Sequence, residues 1–153
     1  MRGWDQFGKL HLALPSQVEH PYQLVAALKS ETVDRIVSDR RCQNSTEAHV
    51  GGASQQMASG HAFAEFECRP GEKVLVNADD LVDMFPSFDG TAERAVTNGV
   101  AVRACGAVFR GTAALRNARV ANQQPVVPCL AGLVMGDINA ADYATGSHIG
   151  VLS

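Results

Sequence analysis

Apolar and polar positions alternate most clearly between residues 22 and 38. Tyr22–Leu28 and Thr32–Ser38 flank a polar break at Lys29-Ser30-Glu31, which predicts two short strands or a hairpin with Val33, Arg35 and Val37 on one face. An arginine on an apolar face must send its head to solvent, a carboxylate or a bound anion. A second run, Lys73-Val74-Leu75-Val76, favours an extended strand and delivers the acids Asp79, Asp80 and Asp83 at its tip, ahead of Met84-Phe85. Pro86 should end or kink whatever begins at Leu81. Beyond it, Thr91 is placed to cap a helix through Arg103, with Ala92, Ala95, Val96, Gly99 and Val100 spaced for a buried face. A second short helix is expected over Thr112–Val120.

The remaining segments are less patterned. Residues 1–21 hold an apolar patch, Leu10–Leu14, closed by Pro15 and Pro21, and read as an irregular lead-in. Residues 39–72, rich in Gly, Ser, Gln and Ala, read as a long connection with one short helical turn. A loop of that length in a small domain is usually functional or short of a partner. Gln124–Leu130 carries two prolines in a β-branched run, the mark of an edge strand or an extended approach segment. Asn139–Leu152 is compatible with a helix starting after Gly136-Asp137.

Composition narrows the class. With 153 residues, 46% of them hydrophobic and 19% charged, the chain suits one folded domain and not a disordered one. A net charge of -3 gives no global pull toward nucleic acid, so any polyanion contact has to come from a local basic patch. No apolar run is long enough to span a bilayer and no signal peptide is expected, which suggests an intracellular chain (cytoplasm or nucleus) with no membrane partner. The cysteines Cys42, Cys68, Cys105 and Cys129 form no C-x-x-C and are expected as free thiols. Cys42 and His49 repeat the separation of His61 and Cys68, a wide spacing for a structural zinc.

A strand that presents carboxylates at its end is a platform for a hard divalent cation such as Mg²⁺, which takes oxygen ligands. The same acids equally suit an exposed turn, and Asp80 a helix N-cap before Leu81.

Three segments in order, Arg35–Asn44 (RIVSDRRCQN), Asp80–Phe88 (DLVDMFPSF) and Leu133–Ala144 (LVMGDINAADYA), resemble the fingers-to-palm half of retroelement reverse transcriptases, RNA-directed DNA polymerases. The first resembles the fingers signature R-x-x-x-D-x-R-x-x-N through Arg35, Asp39, Arg41 and Asn44. The second is similar to motif A through Asp80, Asp83 and Phe85, with Asp79 leaving a one-residue alternative register. The third resembles motif B, L-P-x-G-x-x-x-[SA]-P, through Leu133, Gly136 and Ala140; Val134 stands where proline is usual, and Met135 where glutamine is common. The resemblance covers about residues 22–152. It implies an α+β fold, a small antiparallel sheet with packed helices forming a partial fingers/palm domain over 22–153. The family's motif C, Tyr-x-Asp-Asp, is expected after motif B, and the chain stops at Ser153. A fragment, inactive as an isolated chain, is therefore expected.

The resemblance also implies roles. Asp80 would be the catalytic metal ligand for Mg²⁺ or Mn²⁺ in a two-cation nucleotidyl transfer from a dNTP to a primer end on an RNA or DNA template. Arg35, assisted by Lys29, would grip the triphosphate. Asp83 would lie under the nucleotide, and Phe85 would exclude a 2′-hydroxyl. Met135 and Gly136 would approach the nucleotide, while Asp39, Arg41 and Asn44 would form a template contact or a structural cluster. The partners implied are template-primer, dNTP and the rest of a polymerase. Two other classes fit some of the same residues. One is a non-catalytic nucleic-acid-binding remnant using Arg35, Arg40 and Arg41. The other is a small metal-dependent hydrolase using Asp79, Asp80 and Asp83 with His61 or His148.

Overall fold

A computed structural model describes residues 2–57, 60–76 and 84–152. The chain is mixed α+β, with small antiparallel sheets and short helices. At its centre β5 (Pro125–Leu130) lies between β1 (Leu10–Ala13) and β4 (Ala104–Cys105). Leu10 faces Leu130 and Ala13 faces Val127 across the β1 ladder, while Ala104 faces Val126 across the other. The alternation of β strands puts Leu10, Leu12 and Val126 on one side, where Phe109, Ala114 and Trp4 cover them. Ala13, Val127 and Cys129 point the other way, against Val18 and Val96. Each fully buried Leu or Val adds about 1.5–3 kcal/mol. Burial also pushes the Cys129 thiol up to about 12, so it stays a protonated core residue.

Two expectations from the sequence are corrected here. The segment read as an irregular lead-in contains β1, preceded by α1 (Arg2–Gln6). The prolines of β5 do not put it at an edge. Pro128 has no N–H to offer on the side facing Val100, yet its carbonyl accepts from Val100 N–H at 2.9 Å. The Val100 carbonyl instead accepts from Val102 N–H at 2.6 Å, and the chain turns away after one bridge, between Gly99 and Cys129. The proline thus ends a ladder locally without removing the strand from the middle of the sheet.

The predicted hairpin is present. β2 (Gln23–Ser30) and β3 (Val33–Asp39) pair antiparallel, with Ala27 opposite Arg35 and Val25 opposite Val37. Its base is buried through Tyr22, which packs with Val100, Leu130 and Val134. Burial holds the Tyr22 hydroxyl up at about 12, although its hydrogen bond with Ser38 and the Arg40 charge pull the other way. Outward from that base, Val25, Leu28, Val33 and Ile36 are exposed.

The connection after β3 is more structured than expected, with α2 (Arg41–Thr46) and α3 (Gly60–Ala64) besides a single 3-10 turn at Ala53–Gln56. The strand expected at Lys73–Val76 does not form. Among the described residues no strand pairs with them, and Leu75 is 92% exposed; β propensity without a facing strand supplies no ladder. α4 (Met84–Ser87) contains Pro86, and α5 (Ala92–Val96) is capped by Thr91 but stops far short of Arg103. The short helix expected over Thr112–Val120 is α6 (Ala113–Ala118); it is capped by Thr112 and also by Asp5, whose two carboxylate oxygens accept from the Ala113 and Ala114 amides at 3.1 and 2.9 Å. α7 (Ala140–Leu152) follows the Gly136-Asp137 turn. No helix among the described residues is long and apolar enough to cross a membrane.

Candidate functional site

At the turn Val134–Ala140 the first and third motif-bearing segments meet, and the end of the second lies close by against Gly132 and α7. Gly136 has φ +94°, in the left-handed region where a side chain is strained, and a Cβ there would lie 3.1 Å from the Ser38 carbonyl of β3. Asn44 of α2 closes over the turn from the same side. Its amide donates to the Gly136 carbonyl at 2.8 Å and its oxygen accepts from Ile138 N–H at 3.3 Å. From the other side α4 packs against α7. Just ahead of the turn, Gly132 passes so close to the Pro86 and Phe88 carbonyls that a Cβ would lie 3.0 and 2.9 Å from them. Lys9, immediately before β1, holds this loop by donating to the Ser87 and Phe88 carbonyls and pairing with Asp89.

Beneath the turn lies a buried group of four charges that pattern reading missed. Arg40, 2% exposed, donates to the Thr97 carbonyl at 3.1 Å, to Asn98 Oδ1 and to Glu47 Oε1 at 2.9 Å, and lies 3.5 Å from Asp137 Oδ2. Arg94 reaches Glu47 Oε2 at 2.9 Å with one guanidinium nitrogen and Asp137 Oδ2 with the other. Two cations against two carboxylates leave no net charge, the condition under which such a cluster tolerates burial. The two arginines shift in opposite directions. Desolvation dominates at the fully enclosed Arg40 and lowers it. At the part-exposed Arg94 burial also opposes the charge, but the hydrogen bonds and charges of Glu47 and Asp137 outweigh it and raise it. Both stay protonated. Asn98 completes the group, donating to the Leu130 and Gly132 carbonyls at 3.0 and 2.8 Å.

The next loop is fastened to α7 in the same manner. Asn139 accepts from Val50 N–H at 2.8 Å and donates to the Ala48 carbonyl at 3.0 Å. Asp142 accepts from the Ser54 amide and hydroxyl at 3.0 and 2.6 Å, with His49 Nε2 at 3.7 Å from its second oxygen. Ser54 holds the Asp142 carboxyl below its usual value. The carboxylate here lies between serine and histidine, so the imidazole has no contact with the hydroxyl and the three groups form no nucleophile–base relay.

The residues singled out from sequence are distributed as follows. Asn44 and Gly136 are joined directly, and Met135 beside them is 48% exposed. Asp39 and Arg41 brace each other in an exposed bidentate pair at 2.8 and 2.7 Å, which draws the Asp39 carboxyl down to about 2. Arg35 and Lys29 are exposed on the hairpin, and no hydrogen bond among the described residues joins either to the Gly136 turn. Phe85 is half-buried in α4. Asp79, Asp80 and Asp83 lie outside the described residues. Arg40, grouped with Arg35 and Arg41 as a nucleic-acid contact, is enclosed by Glu47, Asn98 and Asp137 and cannot reach a phosphate. Among the described residues no three His, Cys, Asp or Glu side chains gather to hold a metal, and Cys42 and Cys68 are exposed free thiols. No protein-family model, curated protein or solved structure matches this chain.

Proposed function

We propose that the chain supplies the nucleotide-facing part of a retroelement-type reverse transcriptase, a template-directed nucleotidyl transferase of the fingers/palm kind. The observation that supports this is the meeting at Gly136. Segments far apart in sequence come together here: Asn44 of Arg35–Asn44 is hydrogen-bonded to the Gly136 turn of Leu133–Ala144, and the end of Asp80–Phe88 lies against Gly132 and α7 next to it. Gly136 is exposed, and a nucleotide or primer end would approach its backbone from the side away from the Ser38 carbonyl. Arg35, with Lys29, takes the triphosphate, and the Phe85 ring packs under the sugar and discriminates against ribose. Asp83 would serve as a hydrogen-bonding residue for the nucleotide. Asp39, Arg41 and Asn44 brace the base of the hairpin beside the template path.

Asp80, with Asp79 as the neighbouring alternative, offers the oxygen donor that Mg²⁺ or Mn²⁺ prefers. A bound cation would stabilise charge on the attacking and leaving oxygens of the transfer. The 153 residues contain no Tyr-x-Asp-Asp. Purified chain with primer-template, Mg²⁺ and dNTPs is accordingly expected to give no extension. The direct test is binding of dATP and ATP in the presence of Mg²⁺. The wild type should prefer dATP, Arg35→Ala should weaken both by about tenfold, and Phe85→Ala should erode the preference. Absence of Mg²⁺-dependent nucleotide binding, or binding indifferent to Arg35→Ala, would overturn the reading.

A further inference from the structure

Asp137 uses its two carboxylate oxygens in different directions. Oδ1 accepts from Asn139 N–H at 2.9 Å and so folds the turn back on itself, while Oδ2 is held from below by Arg94 and lies 3.5 Å from Arg40. The backbone of the same turn closes through Asp137 N–H to the Val134 carbonyl at 3.0 Å and Ala140 N–H to the Asp137 carbonyl at 3.1 Å. Rotation of that carboxylate would release the Asn139 amide, so whatever fixes Oδ2 also fixes the turn. Arg94 is the group able to do so, because its planar fork spans Glu47 and Asp137 at once and Glu47 is itself anchored by Arg40 and by Gln43 at 2.8 Å. The Nε atoms of Arg40 and Arg94 are buried with no acceptor among the described residues. The guanidinium orientation is therefore chosen by the two carboxylates, not by satisfying every donor.

We infer that Arg94 is a positioning residue: acting through Asp137 from α5, it sets the conformation of the Val134–Ala140 turn and hence the backbone that Gly136 exposes. Its consequence for nucleotide affinity rests on the fingers/palm reading; its control of the turn does not. A lysine at this position keeps the charge but cannot bridge two carboxylates with a rigid fork.

The test compares Arg94→Lys and Arg94→Gln with Thr112→Ala, which removes a distant helix cap and serves as a destabilised control. Amide hydrogen exchange should accelerate by about tenfold or more at Ile138, Asn139 and Ala140 in both Arg94 variants, with the β1–β5 ladder little changed. Thr112→Ala should leave the turn amides at their wild-type rates. Wild-type rates at the turn in Arg94→Lys, or equal acceleration across the β1–β5 ladder, would overturn the inference. In the same proteins, Mg²⁺-dATP affinity should fall about tenfold in Arg94→Lys and hold in Thr112→Ala. If the wild type binds no dATP, the fingers/palm reading fails, and the exchange rates still decide the role of Arg94.

Discussion

Replacing Arg40 with methionine should be among the most damaging single changes in this protein. The side chain is fully enclosed, and its removal leaves Glu47 and Asp137 sharing Arg94 alone while the Thr97 carbonyl and Asn98 Oδ1 lose their donor. Deleting one partner from a buried ion group costs about 3–5 kcal/mol, because a desolvated charge remains behind. For a chain of this length each kcal/mol lowers the thermal midpoint by about 2–4 °C, so the expected shift is about 6–20 °C, measured by calorimetry or circular dichroism. That is a large share of the total stability of an ordinary domain, about 5–15 kcal/mol. Adding Glu47→Gln restores charge balance, so the double variant should be clearly less destabilised than the sum of the two single ones. A midpoint for Arg40→Met within about 2 °C of wild type, or strict additivity with Glu47→Gln, would refute the electrostatic account of this group.

Gly132→Ala should cost about 1–3 kcal/mol, since its Cβ would press on the Pro86 and Phe88 carbonyls, which belong to backbone and cannot swing aside; chemical denaturation reads the loss. Asp5→Ala should cost about 1 kcal/mol by uncapping α6, with faster exchange at the Ala113 and Ala114 amides as its signature. The Asp39 carboxyl should titrate near pH 2 by carbon-detected NMR and return toward 3.8 in Arg41→Ala. Because its folded value is depressed, its contribution to stability is present above the unfolded value and is lost as pH falls from about 4 through 2. That contribution is small because the pair is exposed and screened, so Arg41→Ala should lower the thermal midpoint at neutral pH only slightly.

How much of this was legible in the letters depends on how local each cause is. The β2–β3 hairpin, the Thr91 cap, the presence of α6 and the start of α7 are written in neighbouring residues, and the sequence pattern agrees with the structure there. β1 was not, because Leu10–Ala13 is too short to show alternation before Pro15 interrupts it. Lys73–Val76 has the propensity of a strand, but pairing is decided by a partner elsewhere in the chain. The contact between Asn44 and Gly136 adjoins two segments that sequence had linked only by resemblance. Arg40, Glu47, Arg94 and Asp137 lay beyond reach: nothing within a few residues of any of them distinguishes an enclosed arginine from a solvated one. The adjacency of Arg40 and Arg41 even suggested a common basic patch, although one is buried and the other exposed.

The Lys9 contact with the carbonyls of Ser87 and Phe88 bears on where the chain can safely be trimmed. An expression boundary set after Pro21, where the amino-acid pattern first becomes regular, would delete both this ammonium tether and the strand that shields one side of β5. The shortened polypeptide would present open backbone along β5 and a loosened Phe85 loop, and its predictable fate is edge-to-edge self-association.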